Sequence, residues 1–493
     1  MAITGGNNLN SVPATIQQAL STNYLDLNTS AGWGQQYVPD LMEKEAEVFG
    51  PRTISGFLSQ VGAEESMTAD QVIWSEQGRL HLSYVCQTAS TTTILIQGDI
   101  DENNYSATGI ETGAGATHGV RVNDTIIISD VNQLVKAVVT AISADTITVA
   151  PYGDETIVHT NVAKGTTILV YGSEYGKGTT YKTEAAAATE QRGSNQPSFK
   201  TFSNKPIILK DYYAVSGSDA SKIGWVEVAS EDGGSGYLWY LKAESDTRAR
   251  FTDYLEMAML EGVKGDDDTT ATDVDAFLGV ATGSTVGTQG LFDAVEDRGN
   301  MSSGVTGVNA ATDLAEFDAI LAEFDSQGAI EENMMFLNRA TSLAMDDMLA
   351  SMNSYGAGGT SFGVFNNSED MALNLGFSGF RRGSYDFYKS DFRYLNDKAT
   401  RGAINAKSAA NATRGIMVPA GTSSVYDQNL GKNLKRPFLH VRYRASQTDD
   451  RRMKTWVTGS VGAATSALDA MEIHMLSERC LVTQGANNFM LMK

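Results

Sequence analysis

A polar arm that runs directly into one long helix, over residues 186–262, is the feature that most constrains this chain. The arm carries two short β-type runs, Ser198 to Phe202 and Ile207 to Val215, with Asn, Ser and Gly residues between and around them. A ribbon of two such strands is only marginally stable in water by itself. The arm therefore needs apolar neighbours outside itself.

The period of the apolar residues changes after residue 236. Leu238, Leu241, Phe251, Leu255 and Met259 fall mostly on one helical face. Glu244 with Arg248 and Asp246 with Arg250 add oppositely charged i,i+4 pairs, and Gly262 supplies a stop signal. The pattern predicts a helix from about 236 to 261, roughly 39 Å long at 1.5 Å per residue.

Composition bounds the class of protein. At 493 residues the chain favours two to four domains, and 42% hydrophobic residues are enough for buried cores. The net charge of -22 repels nucleic acid and anionic membranes at long range, so a dedicated DNA-binding protein is disfavoured.

The cysteines and the N-terminal sequence indicate a reducing compartment. Cys86 and Cys480 are too few for a disulfide framework or a four-thiolate metal site, and two reduced, partly buried thiols are expected. The start, MAITGGNNLNSV, has neither the basic nor the apolar region of a signal peptide, and no run reaches membrane-spanning length. We expect a protein that is made and kept in a reducing cytoplasm.

A β-rich insert occupies residues 86–180. Strands are predicted at 119–128, 133–142, 146–150 and 166–171, and Val135, Ala137, Val139 and Ala141 share one face. The segment predicts a small barrel or sandwich. Just before it, the run from Gln71 to Val85 predicts a strand pair.

Residues 284–380 change to a mixed α/β pattern. Behind a Thr312-Asp313 cap signal, one helix is marked by Leu314, Phe317, Leu321 and Phe324. Met334 to Leu337 reads as a buried strand, and a second helix is marked by Met345, Met348, Leu349 and Met352. The methionine stripe indicates core or a subunit interface rather than a cofactor site.

The C-terminal part returns to β structure. Leu439, Val441 and Tyr443 alternate with His440, Arg442 and Arg444, and Met471 to Val482 is predicted to be a long strand.

Catalytic and metal-binding patterns are weak. His81, His118, His159, His440 and His474 lack the spacing of a helix-borne metal site, and surface or edge-strand histidines are expected. The run Asp266, Asp267, Asp268, Asp273 and Asp275 lacks the glycine and closing glutamate of a calcium loop, which favours a solvated loop. We expect no cofactor.

A serine-hydrolase motif is also weak. Gly359 to Gly363 matches G-x-S-x-G around Ser361, but glycines precede it where a strand is required. A flexible loop is favoured over a nucleophile. Gly233, Gly234 and Gly236 precede a predicted helix, as glycines do in phosphate-binding loops, yet Glu231 and Asp232 would repel phosphate.

The charge reverses locally between Lys432 and Lys454. Arg442, Arg444, Arg451 and Arg452 belong to this stretch, where Tyr443 stands between two of the arginines and few aromatic residues are interleaved. Pairing with acidic residues of the same or an adjacent subunit is favoured over a nucleic-acid surface.

The order of these segments resembles that of tailed-bacteriophage major capsid proteins of the Hong Kong-phage-type fold. KPIILKDYYAVSGSDASKIGWVEV followed by GYLWYLKAESDTRARF is similar to that family's extended loop and spine helix. RRMKTWVTGSVG and MEIHMLSERCLVTQGANNF resemble its last long strand. Among subfamilies, the sequence is most similar to crAss-like podovirus shells.

The resemblance implies an α+β fold with six regions. These are an N-terminal arm (1–65), an extended loop and its base (66–85 and 186–235), the inserted β domain (86–185), the spine helix with the peripheral domain (236–283), an axial α/β domain (284–400), and the remaining axial and peripheral strands (401–493).

The resemblance also implies a function. Proteins of this kind are not enzymes and form an icosahedral shell of hexamers and pentamers around packaged double-stranded DNA. The resemblance further implies assembly in the host cytoplasm, portal and head auxiliary or decoration proteins as partners, and no membrane. The arm from about 190 to 232 is expected to pack on a neighbouring subunit through Ile207, Ile208, Leu209, Tyr212 and Tyr213, which lack partners within the arm. The rival interpretations are a serine hydrolase built on Ser361 and a cellular encapsulin-type compartment shell.

Overall fold

In a computed structural model, the chain divides into two compact units, Ser75–Phe202 and Met1–Trp74 with Ser203–Lys493, and each is described by itself. The structure describes residues 63–77, 81–99, 118–143, 145–153, 155–158, 165–178, 199–220, 227–229, 235–264, 277–279, 287–302, 310–328, 330–353, 379–405, 412–420, 422–427, 432–461 and 464–493. The predicted N-terminal arm up to residue 62 lies outside these ranges.

The unit Ser75–Phe202 contains a closed antiparallel barrel with strand order β3-β4-β7-β6-β5-β8. After β1 (Ala63–Met67) and β2 (Val72–Gln77), its strands are β3 (Ser83–Thr88), β4 (Thr93–Asp99), β5 (Asp124–Ser129), β6 (Leu134–Ser143), β7 (Thr146–Pro151) and β8 (Thr166–Ser173). The predicted small β domain is thus a barrel rather than a sandwich, and β3 begins before the predicted boundary at residue 86.

The pairing predicted for Gln71 to Val85 is wrong. Both runs are strands, but β2 forms a two-stranded sheet with β9 (Phe199–Asn204), whereas β3 pairs with β4 and β8 of the barrel. Alternation of apolar residues identifies a strand without identifying its partner.

Alternating apolar side chains fill the barrel. Val135, Ala137 and Val139 of β6 are buried, as the sequence predicts, but Ala141 is only partly buried. The register shifts between Val139 and Ala141, so that Ile142 packs against the core instead. A bulge of this kind moves every later side chain to the opposite face.

The barrel is expected to fold alone, because its core is built entirely from its own strands and the segments that connect them. A fragment of residues 75–202 should unfold cooperatively on heating, as followed by far-UV circular dichroism, and replacing fully buried Ile126 with Ala should destabilise it by about 2–5 kcal/mol. A fragment without a β spectrum or an unfolding transition would contradict this expectation.

The second unit contains the remaining elements. In chain order they are β10 (Ile207–Ser216), α1 (Gly217–Ala220), β11 (Glu227–Ala229), β12 (Ser235–Tyr237), α2 (Leu238–Glu261), α3 (Leu291–Arg298), β13 (Asn300–Ser302), α4 (Ala310–Gln327), β14 (Glu332–Leu337), α5 (Arg339–Asn353), β15 (Gly379–Arg382), β16 (Tyr385–Asp391), α6 (Arg393–Asn396), α7 (Gly402–Asn405), β17 (Gly415–Pro419), β18 (Thr422–Asp427), β19 (Lys432–Pro437), β20 (Leu439–Arg444), β21 (Lys454–Gly459), β22 (Ala470–Thr483), a 3-10 turn (Ala486–Asn488) and β23 (Met490–Met492).

A five-stranded sheet in this unit has the order β1-β20-β22-β10, with β21 also paired to β22. The predicted long strand, β22, is paired with β10 on one side and with β20 and β21 in turn on the other. The two β runs of the arm therefore pair with β2 and β22, and not with each other as a ribbon.

Helix α2 packs on one face of this sheet. Phe251 and Leu255 contact Ile473 and Met475 of β22, and Leu209 packs against the same cluster. The predicted helix is confirmed, with Glu244 and Arg248 paired at 3.2 Å, but Arg250 approaches Asp211 of β10 at 3.6 Å.

Gly262 follows the end of helix α2 at a point where the backbone of the loop ahead of α3 passes close to it, and its conformation is not left-handed. A Cβ atom at this position would lie 2.4 Å from the Thr288 carbonyl oxygen. The Gly262 carbonyl accepts a hydrogen bond from the Gly290 amide at 2.7 Å, which fixes the loop ahead of α3.

A six-stranded mixed sheet follows the order β13-β23-β17-β14-β16-β15. Phe317 and Phe324 of α4, with Met345 and Met348 of α5, are buried in a core against this sheet, which confirms that these two methionines are core residues. Helix α4 begins at Ala310, so the predicted Thr312-Asp313 cap lies inside its first turn.

Candidate interaction surface

Strand β10 divides the five predicted contact residues between two faces. Its side chains alternate between partly buried and exposed. Ile207 and Leu209 pack against cores of their own chain, and partial burial raises the pKa of Tyr213. Ile208 and Tyr212 point to the other face and are 47% and 61% exposed. The cores that Ile207 and Leu209 pack against belong to the same chain but lie outside the arm, so the predicted neighbour contact depends on Ile208 and Tyr212.

Three rings form a row across adjacent strands on that outward face. Tyr212 of β10 and Trp456 of β21 are both in register with His474 of β22. The His474 ring stacks on Trp456 with centroids 5.3 Å apart and on Tyr212 with centroids 6.1 Å apart. We call these three residues the aromatic row.

Polar contacts fix the central ring of the row. The His474 Nε2 atom lies 2.7 Å from the Thr458 hydroxyl and 3.2 Å from the Glu472 carboxylate. Because His474 is held on both faces and at one edge, the row is a rigid surface. Trp456 remains 36% exposed, and so the row combines apolar area with little side-chain freedom.

The four predicted basic residues all meet carboxylates of their own chain. Arg442 pairs with Glu65 at 2.8 Å, Arg444 pairs with Asp70 and Glu478, Arg451 pairs with Glu478 at 2.8 Å, and Arg452 pairs with Glu64. The sequence predicts acidic partners without deciding whether they belong to the same subunit or to an adjacent one. In the structure, the partners of all four arginines belong to the same chain. The side chains of Lys435 and Arg436 lie outside the described ones.

Glu478 is the most enclosed member of this network. Its side chain is buried, and the Arg444 Nε and Arg451 Nη1 atoms each lie 2.8 Å from its carboxylate oxygens. A buried carboxylate is stable only when cations of this kind compensate for its lost hydration. Together with Asp70, Glu478 raises the pKa of Arg444.

Asn204, one of the polar residues between the two β runs of the arm, is fully buried and connects three parts of the unit. Its amide nitrogen donates to the carbonyls of Gln289 at 3.0 Å and Leu481 at 2.6 Å, and its amide oxygen accepts from the Gln289 amide at 2.8 Å. Asn204 thereby ties the start of β10 to β22 and to the loop ahead of α3. Nothing in the local sequence distinguishes this residue from a turn asparagine.

The remaining candidates are placed as follows. Contrary to the surface position expected, His440 is buried, and its Nδ1 atom lies 3.3 Å from the Pro437 carbonyl. Cys86 and Cys480 are buried free thiols, and burial raises the pKa of Cys480 to about 12. The Ser361 motif, the aspartates at 266–275, His159, and the glycines at 233 and 234 lie outside the described ranges.

Among the described residues, no group of three or more His, Cys, Asp and Glu side chains could hold a metal ion. Within the same ranges, no helix combines the length and apolar character of a membrane span.

No protein-family model and no curated protein matches this sequence. Solved structures similar to it include phage and GTA capsids. A structure from Microbacterium phage Oxtober96 shares 9% identity over 93% of this chain and 96% of its own, with a TM-score of 0.38. The capsid of a native GTA particle shares 11% identity over 95% and 99%, also with a TM-score of 0.38. The capsid of Cyanophage P-SCSP1u shares 7% identity over 63% and 79%, with a TM-score of 0.33. Such TM-scores are too low to establish what this chain does.

Proposed function

We propose that this chain is a major capsid protein that self-assembles, as hexamers and pentamers, into the icosahedral head of a tailed phage around double-stranded DNA. In this proposal the chain has no catalytic activity, assembles in the host cytoplasm and ends up in the capsid of the virion. Its partners are portal and head auxiliary or decoration proteins. It also includes the finer similarity to crAss-like podovirus shells.

The observation that carries the proposal is the aromatic row on the outward face of the five-stranded sheet. Helix α2 packs on the opposite face of the sheet and holds the sheet in the unit. The aromatic row is therefore left exposed for contact with another molecule. Rigid exposed aromatic residues are typical of protein interfaces, where they bury large area at low entropic cost. A subunit that must contact copies of itself needs such a surface.

The polar contacts of the candidate histidines are consistent with a structural role. His474 is enclosed between two rings and bonded at its edge, and His440 is buried against a carbonyl. The net charge of -22 also suits a container, because an acidic wall lets DNA enter without adhering.

Negative-stain imaging of the purified protein tests the proposal. We expect wild-type protein to form closed particles, and the double variant Tyr212→Lys with Trp456→Lys to remain unassembled with a native circular dichroism spectrum. Charging the row adds two cations to a surface that must lose its water on assembly.

Tyr388→Lys is the matched control, because Tyr388 is an aromatic residue on β16 of the same unit whose exposure, 50%, lies between those of Tyr212 and Trp456. Particles from this control and none from the double variant would assign the contact to the aromatic row. Wild-type protein that stays monomeric at all concentrations, or that hydrolyses ester probes with labelling of Ser361, would contradict the proposal.

A further inference from the structure

The basic stretch is organised around strand β1. Four arginines each reach an acidic residue of the segment 63–70, which has the sequence AEESMTAD. Arg442 pairs with Glu65, Arg444 with Asp70, and both Arg452 and Arg479 with Glu64. We call these four residues the arginine clamp. The segment that they hold has three carboxylates and no basic residue.

Part of the clamp is held by contacts that do not involve β1. The Arg451 amide donates to the Arg444 carbonyl at 2.9 Å, and the Glu478 amide donates to the Arg451 carbonyl at 3.0 Å. The Arg452 carbonyl accepts from the Ser477 hydroxyl at 2.6 Å and from Arg479 Nη2 at 2.9 Å. Strand β22 therefore holds the loop at 445–453 through contacts of its own, while β1 adds a backbone hydrogen bond, which the Ala445 amide donates to the Met67 carbonyl at 3.0 Å.

Buried Glu478 also orients Arg444 from within. It holds the Nε edge of that guanidinium, while the Nη2 atom points to Asp70. The inner contact is buried, whereas the Asp70 side chain is almost fully exposed. Salt screens exposed charges far more than buried ones. The inner contact should thus persist under conditions that weaken the outer one.

Strand β1 itself is weakly attached. Among the described strands it pairs only with β20, in parallel, over five residues at the edge of the sheet. The Arg444–Asp70 and Arg452–Glu64 pairs are open to solvent on at least one side, and solvent and salt weaken such pairs. Short edge strands with such contacts belong to the parts of a protein that open first.

We propose that the arginine clamp is a preformed binding site for an acidic extended strand, and that residues 63–70 occupy it as a removable ligand. Specificity comes from the match between the carboxylates at positions 64, 65 and 70 and the four guanidinium groups. When residues 63–70 are released, the edge of β20 and the four arginines of the clamp become exposed. A second segment with the same sequence can then bind to β20 and the clamp. This inference does not depend on the proposed function.

Hydrogen exchange of the full-length protein is the first test. Raising sodium chloride from about 0.1 M to about 1 M shortens the screening length from about 10 Å to about 3 Å. We expect the β1 amides to exchange at least about tenfold faster at high salt, while β22 amides keep their protection. Salt-independent protection of β1, or equal loss of protection in β1 and β22, would overturn the proposal.

A peptide-binding experiment tests the site directly. In the full-length variant Glu64→Lys with Glu65→Lys, like charges should drive β1 out of the clamp. A fluorescein-labelled AEESMTAD peptide should then bind this variant at least about tenfold more tightly than wild type, whose clamp is occupied. The same peptide with glutamine and asparagine in place of its carboxylates should not bind.

Asp318→Asn is the matched control, because it removes a partly exposed carboxylate that pairs with Arg382 elsewhere in the unit. It should change neither β1 exchange nor peptide binding. Absence of peptide binding to the charge-reversed variant, with β22 still protected, would refute the clamp. If that variant does not fold, the salt series on wild-type protein decides alone.

Discussion

Replacing Lys389 with Met should destabilise the unit that contains it by about 3–5 kcal/mol, because it leaves Asp346 buried without its cation. The side chains of Lys389 and Asp346 are only 7% and 9% exposed and pair between β16 and α5. The Lys389 ammonium also donates to the Ser342 carbonyl at 3.2 Å. Water cannot take over these contacts when the ammonium is removed.

Urea unfolding followed by circular dichroism measures this loss. The double variant Lys389→Met with Asp346→Leu provides the decisive comparison, since replacing both partners by apolar residues removes the uncompensated charge and should recover most of the stability. Arg382→Met breaks the more exposed pair with Asp318 and should cost about 1 kcal/mol or less. Equal losses in Lys389→Met and Arg382→Met would show that burial of the pair has no energetic consequence.

Replacing Gly459 with Ala should cost about 3 kcal/mol or more. Gly459 ends β21 with a φ of 130°, and a Cβ atom there would lie 1.8 Å from the Ala470 carbonyl oxygen. That overlap adds to the strain of a backbone region that only glycine adopts readily, which alone amounts to about 1–3 kcal/mol. The chain can relieve the clash only by separating β21 from β22.

Exchange of the β21 amides distinguishes a local from a global effect. We expect Gly459→Ala to expose the amides of 454–458 and to disrupt the stacking of Trp456 on His474, while the six-stranded sheet keeps its protection. Gly328→Ala is the control, because Gly328 has a φ of 68° with no atom near its Cβ position, so only about 1–2 kcal/mol of strain is added. A Gly459→Ala protein with native β21 protection would contradict this reading of the turn.

Periodicity predicted the local elements well. The helix ending before Gly262, the strand at 470–483 and the helices carrying Phe317 and Met345 all occur, because each depends on apolar spacing within one short segment. Partners were predicted poorly. The arm is expected to pack on a neighbouring subunit, yet β10 pairs with β22 of its own chain more than 250 residues later, and spacing within β10 carries no information about β22.

The surface was the least predictable part. Tyr212 was singled out, but His474 and Trp456 were not recognised as its neighbours, since the row exists only through strand register. The acidic partners of the basic stretch were anticipated as a class. Their origin in residues 64–70 could not be, because charge sign without topology does not locate a partner.

The distance along the chain between β1 and its partners sets an order of events during synthesis. The barrel strands follow one another closely and can pair soon after they emerge, whereas Asp70 meets Arg444, which lies 374 residues later. At about 5–20 residues per second, strand β1 waits roughly 20 to 75 s for that partner. Charged side chains disfavour pairing of an exposed strand with other chains, and Glu64 and Glu65 supply such charges on β1 during this interval. The same carboxylates that later hold the strand in place first serve as protection against premature association.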